Sequence, residues 1–378
     1  MIQGLRIHLT GSASRSADVA HIRAAHQFIG ALVHEVVERG GGLVLGVGPE
    51  PHTESGDACI FDWTALEAVA GIGDSVSIWP PPRSGRFVVV ASQRGLEKVP
   101  EHRADLWDGC RSRSDFDLQV APPGWRMAGI IRERQVLRGD ILVAVGGGAG
   151  VEHLAELYRD DGKPVVPVHT DLGALNDDGN GGSRFLYDQA IADPDKFFRI
   201  RDEEGSASAR LTKLRLTAQT DPVSLSRDVA ILLEGLRSRP AFYVRLLNTD
   251  HEYYEGVEAF FRGVVDSVVL ERGFRPREMG RDRPENAFMN VDIFAALHRA
   301  GLVVVDLTGV RPNCTMELGY ALARRRRVVI SAMEGTSLPF DEDKLPTFMW
   351  SHDTDPDDLR SRFLRWFDLY SELPPIVQ

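Results

Sequence analysis

The sequence predicts an α/β protein of two domains, each built on a parallel β-sheet that helices cover on both faces. At 378 residues, the chain is longer than an ordinary domain of about 100–200 residues. Short, continuously apolar runs alternate with longer stretches in which apolar residues recur at helical spacing. Strands that read as continuous apolar runs are buried on both faces, as in parallel sheets between helices.

The first half of the chain supplies the first predicted sheet. Apolar residues between His21 and Glu38 recur every three or four positions, which indicates one buried helix face. The predicted strands are Leu5–Leu9, Leu43–Leu45, Phe87–Ala91, Ile141–Val145 and Val165–Val168. The predicted helices are His21–Glu38, Phe61–Ala70, Met127–Arg138 and Val151–Arg159.

A second alternation begins after DEEGSASAR (202–210), a small and polar stretch typical of an exposed connection. We therefore predict domains over residues 1–200 and 241–378, with a helical connection over 201–240. The predicted strands of the second domain are Phe242–Leu247, Leu302–Val305 and Arg327–Ile330. The predicted helices around them are Val229–Leu236, Val257–Val265, Ala287–His298 and Thr315–Ala323.

Composition excludes several functional classes. The chain has 44 Lys+Arg and 55 Asp+Glu, and its net charge of −11 argues against coating nucleic acid or an anionic membrane. Three widely spaced cysteines form neither a disulfide framework nor a paired-cysteine metal site. The sequence shows no signal-peptide pattern and no apolar run of about 18 residues. We expect a cytoplasmic protein with no metal site and with neither nucleic acid nor membrane as a partner.

Three predicted strands end in glycine-rich turns, LTGSAS (9–14), LGVGPEP (45–51) and VGGGAGVEHLAE (145–156). Glycine lets a backbone approach a phosphate closely, and amides at a helix N-terminus donate to it. Ligands of parallel sheets bind at the carboxyl ends of the strands. The alternative is tight turn chemistry alone. The candidate ligand-binding residues are Gly11, Ser12, Gly46, Gly48, Gly147, Gly148, Gly150, Glu152 and, on the preceding helix, Arg132 and Arg134, whose alternative is a solvated helix face.

The stretch NDDGNGG (176–182) has the first half of a calcium loop. Asn176, Asp178 and Asn180 stand at positions 1, 3 and 5, with Gly181 at position 6. Position 12 is Tyr187, so the bidentate carboxylate is missing. We predict a glycine-rich turn near a ligand pocket instead of a calcium site.

The segments VGGGAGVEHLAELYRDDGKPVVPV and MAGIIRERQVLRGD resemble the SLOG superfamily, which includes the LOG cytokinin-activating phosphoribohydrolases and DprA-like proteins. HLTGSAS, LVLGVGPEP, IFDWTALEAVA and NDDGNGG narrow the resemblance to the SLOG group associated with TIR and Sir2 domains. The resemblance covers residues 1–200 and implies a domain that senses a nucleotide signal such as a cyclic ADP-ribose isomer, as in Thoeris defence.

The same loop argues against hydrolysis in this domain. The LOG pattern GGxGTxxE is replaced by GGAGVEHL (147–154), with Val151 at the threonine position and Leu154 at the glutamate position. Glu152 lies on another side of the predicted helix. We therefore predict binding in the first domain.

The second candidate site follows the strand that ends at Asp306. The chain continues through LTGVRPNCTMELGYA, with Asn313 as a plausible helix N-cap and Glu317 in the first turns of the helix. On a purely structural interpretation, Asn313 caps the helix and Glu317 stabilises its dipole. Gly319 inside the helix suggests close packing or a ligand pressed against that face.

DLTGVRPNCTMELGYALARRRRVVI (306–330), with YVRLLN (243–248) as the first strand, resembles the nucleoside 2-deoxyribosyltransferases and their TIR-like relatives. The resemblance covers residues 240–350 and implies a flavodoxin-like domain in which Glu317 is the nucleophile at the anomeric carbon. It places Asp306 near the sugar or base. Asn313 replaces a frequent Asp, which disfavours base protonation from that position and strict deoxyribosyl transfer. Three further candidates for phosphate or ribose contacts, each with a surface or capping alternative, are Asn248, Arg281 and Asn290.

Together, the two resemblances predict two Rossmann-like domains that form an antiphage-type effector. The SLOG-like domain would sense an ADP-ribose-derived signal and activate cleavage of N-glycosidic bonds in NAD or another nucleotide, with no cofactor required. We expect a homo-oligomer and a TIR-type partner that produces the signal. One alternative is a non-enzymatic nucleotide sensor acting with a separate TIR or Sir2 protein; another is a housekeeping nucleoside transferase that needs no activator.

Overall fold

The computed structural model describes residues 2, 4–73, 85–121, 127–173, 181–198, 206–236, 240–278, 289–324, 326–339 and 344–371. The chain divides into two compact units. Unit 1 comprises Met1–Trp79 and Ser84–Arg237, and unit 2 comprises Pro80–Arg83 and Ser238–Gln378.

Unit 1 is built on a six-stranded sheet in which every strand pairing is parallel. The strands are β1 (Arg6–Ser12), β2 (Gly42–Leu45), β3 (Phe87–Ser92), β4 (Phe116–Ala121), β5 (Ile141–Gly146) and β6 (Val165–Val168). Their order, β4-β3-β2-β1-β5-β6, reverses direction between β1 and β5. A crevice at the carboxyl ends of these two strands is therefore the expected ligand position.

Helices cover both faces of this sheet. They are α1 (Val19–Glu38), α2 (Asp62–Ala70), α3 (Gln93–Leu96), α4 (Ala104–Arg111), α5 (Met127–Arg138), α6 (Ala149–Asp160), α7 (Gly182–Ala192), α8 (Pro194–Phe198), α9 (Ser206–Leu211) and α10 (Pro222–Gly235), with a 3₁₀ turn at Glu101–Arg103. Helix α1 begins where the Asp18 side chain accepts hydrogen bonds from the backbone of Ala20 and His21. Helix α10 packs on α1 and shares the core of unit 1, so this part of the chain belongs to the first unit.

Unit 2 has a five-stranded sheet that is also parallel throughout. Its strands are β7 (Pro240–Val244), β8 (Arg275–Glu278), β9 (Leu302–Asp306), β10 (Val328–Met333) and β11 (Thr347–Trp350). The order β11-β10-β9-β7-β8 is the flavodoxin-like order 2-1-3-4-5 counted from the opposite edge. Its switch point lies between β7 and β9. The fold class predicted from the sequence is thus confirmed in both units.

The helices of unit 2 bury the two faces of the sheet in two separate apolar clusters. They are α11 (Tyr254–Phe260), α12 (Asp266–Glu271), α13 (Met289–Arg299), α14 (Pro312–Ala323) and α15 (Pro356–Tyr370), and Phe261–Val265 forms a π-helical turn between α11 and α12. Among the described residues, none of the helices combines the length and the apolar character needed to cross a bilayer.

A buried charge cluster closes the carboxyl end of β7. Arg245, immediately after the strand, pairs through Nε with Glu278 and through Nη2 with Glu258. The side chains of Arg245 and Glu278 are only 2% and 3% exposed. Arg262, on the exposed side, donates to Glu258 at 2.8 Å. Paired charges as well as apolar packing therefore join the carboxyl end of β7 to β8 and α11.

Candidate functional site

In unit 2, the loops that follow β7 and β9 meet at the switch point. A Cβ at Gly309, in the loop after β9, would lie 3.1 Å from Cε1 of His251 and 3.4 Å from Cδ2 of Tyr253, both in the loop after β7. His251 and Tyr253 are half-buried. The crevice between β7 and β9 is thus lined by these two loops.

Asp306 is buried at the end of β9, 1% exposed. Its Oδ2 accepts hydrogen bonds from Ser331 Oγ (2.8 Å) and Trp350 Nε1 (2.9 Å), and its Oδ1 accepts one from the Thr308 backbone N–H (3.1 Å). Burial raises the pKa of this carboxyl group, although the hydrogen bonds from Thr308, Trp350 and Ser331 oppose that shift. Both carboxyl oxygens accept hydrogen bonds from the protein, so Asp306 stabilises the conformation of the loop that follows it.

That loop has a strained conformation. Gly309 and Val310 have φ values of +75° and +44°, and a β-branched residue rarely adopts the left-handed region. Thr308 fixes the turn from one side, because its Oγ accepts from the Met333 N–H at 2.9 Å. The Leu307 N–H donates to the Ser331 carbonyl at 2.8 Å. Strand β10 therefore holds the turn that leads into α14.

Helix α14 carries Glu317, half-buried in its second turn. Burial raises the pKa of Glu317 to about 7. Burial, together with the charges of Glu317 and Asp306, raises the pKa of the neighbouring Cys314 thiol to about 12. The predicted carboxylates therefore both lie near Cys314, with Glu317 the more accessible of the two.

The structure corrects the predicted start of this helix. Its N-cap is Arg311, which makes no side-chain capping hydrogen bond, and Pro312 is the first helical residue. Asn313 is exposed in the first turn and is not the cap. A Cβ at Gly319 would meet no atom within 4 Å, so close packing does not explain this glycine.

The three remaining candidate residues of the second domain are Asn248, Asn290 and Arg281. Asn248 is exposed in the loop after β7, where its Oδ1 accepts from the Asp250 N–H at 3.2 Å. Asn290 lies in α13 and its side chain is outside the description. Arg281 lies outside the described residues.

In unit 1, the glycine loops after β1 and β5 meet closely at the other switch point. The Gly147 N–H donates to the carbonyls of Ser12 and Gly173, both at 2.8 Å, and the Gly146 N–H donates to Ser183 Oγ at 2.7 Å. A Cβ at Gly11 would lie 1.8 Å from the Val145 carbonyl oxygen, so only glycine fits there. Since these amides are occupied, a phosphate would be met by the amides that begin α6.

The start of α6 brings together the other predicted residues of this loop. Gly148 is the N-cap, with no side chain to satisfy the first amides of the helix. Arg132 Nη2 lies 2.9 Å from the Cβ position of Gly150, and its Nη1 lies 3.2 Å from His153 Nδ1. Burial lowers the pKa of Arg132. Arg134, two residues along the same helix, projects in a different direction.

Glu152 is engaged within the protein. Its Oε1 accepts from the Gly182 N–H at 2.6 Å, which ties α6 to the start of α7. Residues 176–180 of NDDGNGG lie outside the described residues, whereas its last two residues, Gly181 and Gly182, are described. Glu152 thus holds the far end of that predicted turn.

The loop after β2 is folded back on its own helix. The Gly46 N–H donates to Asp62 Oδ1 at 2.8 Å, and the Gly48 carbonyl accepts from Trp63 Nε1 at 3.1 Å. A Cβ at Gly48 would meet nothing within 4 Å. Of these two predicted residues, Gly48 borders open space, whereas the N–H of Gly46 is already hydrogen-bonded to Asp62.

Replacing Gly182 by alanine is expected to destabilise unit 1 by about 2–4 kcal/mol. The residue has a φ of +63°, and an added Cβ would lie 1.8 Å from the Gly147 carbonyl oxygen. The matched control is Gly30→Ala in α1, where an added Cβ meets no atom within 4 Å and should stabilise the helix by about 0.5–1 kcal/mol. Urea unfolding measures both. Equal stability of the two variants would contradict the tight loop contact.

Three contributors to these sites were not predicted: His251, Ser183 and Asp62. Each acts through a contact between segments far apart in sequence. The sequence offers one signal for His251, its position in a loop at the carboxyl end of a predicted strand. That signal points to a ligand site only when β7 is known to neighbour β9.

Unit 1 is a doubly wound α/β domain with glycine-rich loops at its switch point, a class of fold that commonly holds nucleotides. The model of the family described as "ATP nucleosidase Cap17-like, N-terminal" matches residues 2–233. Because the match covers more than half of the chain, this protein belongs to that family.

Two curated relatives from Escherichia coli, one of them from strain KTE188, are both named ATP nucleosidase Cap17. Each is 27% identical to this chain over 195 residues. The matched stretch is 52% of this chain but only 38% of the relatives' length. The family match ends at residue 233, before Ser238, where the main segment of unit 2 begins.

Proposed function

We propose that this protein is an antiphage-type effector that cleaves the N-glycosidic bond of a nucleotide in unit 2 under the control of a nucleotide signal bound by unit 1. The observation that carries the proposal is Glu317, a half-buried carboxylate beside the β7–β9 switch point, the position where flavodoxin-like sheets bind ligands. The resemblance of unit 2 to deoxyribosyltransferases assigns the nucleophile to the same residue.

In the proposed reaction, a carboxylate oxygen of Glu317 attacks C1′ of the ribose. The C1′–N bond breaks and its electron pair leaves with the base. Water then hydrolyses the glycosyl ester and regenerates Glu317. Asp306 acts as a positioning residue, since its buried hydrogen bonds hold the turn that precedes α14. No cofactor is required.

The relatives' name makes ATP a substrate to test, alongside NAD. For unit 1, we propose an activator of the cyclic ADP-ribose type, with its phosphates at the start of α6 and near Arg132. The resemblance of residues 1–200 to the SLOG superfamily supports the activator, and a TIR-type enzyme is the expected source of the signal. Activation through a change of assembly makes a homo-oligomer the expected form.

Mass spectrometry of full-length protein incubated with ATP, NAD and nucleosides, with and without cyclic ADP-ribose isomers, tests the proposal. We expect release of a free base, stimulated by one of the isomers. Failure to release base from any nucleotide under either condition would overturn the enzymatic assignment.

A second candidate function is a non-enzymatic nucleotide sensor that acts with a separate TIR or Sir2 protein. The observation that favours it is the extent of the family match, which covers unit 1 and stops at residue 233. A sensor binds the isomers in calorimetry and releases no base. Base exchange without an activator would instead indicate a housekeeping transferase.

Activity is expected to rise with pH to a plateau, with a midpoint near pH 7. The nucleophile must be ionised, and burial raises the pKa of Glu317 to about 7, so protonation removes activity as the pH falls through that value. Initial rates of base release at limiting substrate between pH 5 and 9 measure this midpoint. A plateau that persists down to pH 5 would contradict the assignment of Glu317.

A further inference from the structure

The loop after β7 places a histidine, His251, at the switch point of unit 2. His251 is half-buried, and its ring edge faces the Gly309 turn, with Cε1 at 3.1 Å and Nε2 at 3.5 Å from the Cβ position of that glycine. A larger residue at 309 would push the ring away. The absence of a side chain at Gly309 therefore lets the imidazole edge lie against this turn, in the loop that leads to α14.

The backbone fixes which ring nitrogen carries the proton. The Tyr253 N–H donates to Nδ1 of His251 at 3.3 Å. A nitrogen that accepts a hydrogen bond carries no proton, so the neutral ring in this arrangement has its proton on Nε2. His251 thus offers an N–H donor on the edge that faces the Gly309 turn.

An aromatic neighbour extends this surface. The rings of His251 and Tyr253 lie with centroids 5.4 Å apart at an interplanar angle of 44°. Both side chains are half-buried at the carboxyl ends of β7 and β9. Flat aromatic side chains beside a fixed N–H donor suit a heterocyclic base, which needs a stacking partner and a hydrogen bond to a ring nitrogen.

We propose that Nε2–H of His251 donates a hydrogen bond to a purine ring nitrogen and stabilises the base as it departs. This inference rests on the proposed N-glycosidic cleavage and adds the group on the leaving side. When the C1′–N9 bond breaks, its electron pair spreads over the purine ring, and a donor aimed at N7 stabilises that charge.

His251 keeps its proton throughout the reaction. The water that hydrolyses the Glu317 ester supplies the proton that the purine gains, so protons balance over the cycle. Because Nδ1 of the neutral imidazole accepts a hydrogen bond, the ring carries its proton on Nε2 and donates from there.

Leaving-group dependence tests the assignment in the full-length protein. The substrates are ATP and N7-methylated ATP, whose cationic base departs as a neutral molecule and whose N7 accepts no hydrogen bond. His251→Phe keeps a ring and deletes the donor. We expect it to lower kcat/KM for ATP by about 100-fold and for the methylated nucleotide by less than about 3-fold.

His251→Gln, which restores an N–H donor at similar reach, should recover most of the ATP activity, and Tyr254→Phe serves as the matched aromatic control. An equal loss with both substrates would overturn the inference and assign His251 a structural role. Release of only pyrimidine or nicotinamide by the wild type would overturn the purine contact but leave the proposed cleavage standing. Absence of any turnover by the wild type would instead reject the cleavage itself, and with it this contact.

Discussion

Replacing Glu317 by glutamine is expected to lower kcat for base release by about 10³-fold or more. Glutamine keeps the size of the side chain but lacks the carboxylate that attacks C1′. The loss should appear with every substrate that the wild type cleaves, including N7-methylated ATP, because the nucleophile is needed whatever the leaving group. Mass spectrometry of the free base measures the effect.

The matched control is Glu255→Gln, an exposed glutamate at the start of α11. It should retain wild-type turnover. Binding of the cyclic ADP-ribose isomer, measured by calorimetry, should be unchanged in both variants because its proposed site is in unit 1. A Glu317→Gln protein that keeps more than a tenth of the activity would remove Glu317 from the reaction.

Proton linkage provides the folding check for this variant. The folded state raises the pKa of Glu317 from its ordinary value to about 7, so folding favours the protonated form. The cost of ionising the buried group begins above the unfolded pKa and is complete above the folded one. Glu317→Gln is therefore expected to unfold at a higher temperature than the wild type at pH 8, with the difference shrinking towards pH 5.

Replacing Arg245 by alanine is expected to destabilise unit 2 by about 3–5 kcal/mol. Arg245 pairs with both Glu258 and Glu278, and its removal leaves the carboxylate of Glu278, only 3% exposed, without this cation. Hydrogen exchange of β7 and β9 peptides, followed by mass spectrometry in the full-length chain, measures the stability of unit 2 directly.

Arg262→Ala is the matched control, because Arg262 binds the same Glu258 from a position where half of its side chain is exposed. Ion pairs in solvent contribute about 0–1 kcal/mol, so this variant should exchange almost as slowly as the wild type. A similar loss of stability in both variants would show that burial does not make the Arg245 ion pairs more stabilising than the exposed pair.

The strands in the middle of each sheet could be predicted, and most of the strands at the edges could not. Strands such as Ile141–Gly146 and Leu302–Asp306 are buried on both faces and are apolar through most of their length. The unpredicted strands β4, β8 and β11 are all edge strands. An edge strand carries polar residues where it meets solvent, as RPRE does in β8, and so loses the continuous apolar run on which the prediction depended.

The candidate site shows a similar division. Asp306 and Glu317 are close in sequence, so strand and helix periodicity were enough to bring them to one end of the sheet. His251 lies more than 50 residues before them, and its role depends on β7 and β9 being neighbours. The predicted start of α14 is wrong because Asn, a common N-cap, stands at position 313, one residue after the proline that occupies the first helical position.

The boundary of the recognised family coincides with a boundary of packing. The family match ends at residue 233 and unit 1 ends at Arg237; among the described residues, the apolar core of unit 1 contains none of unit 2. A segment with its own core is a module that evolution can join to different neighbours. Under the proposed function, shared ancestry in this module concerns the binding of the activating signal, whereas the choice of the nucleotide to be cleaved would reside in residues 238–378.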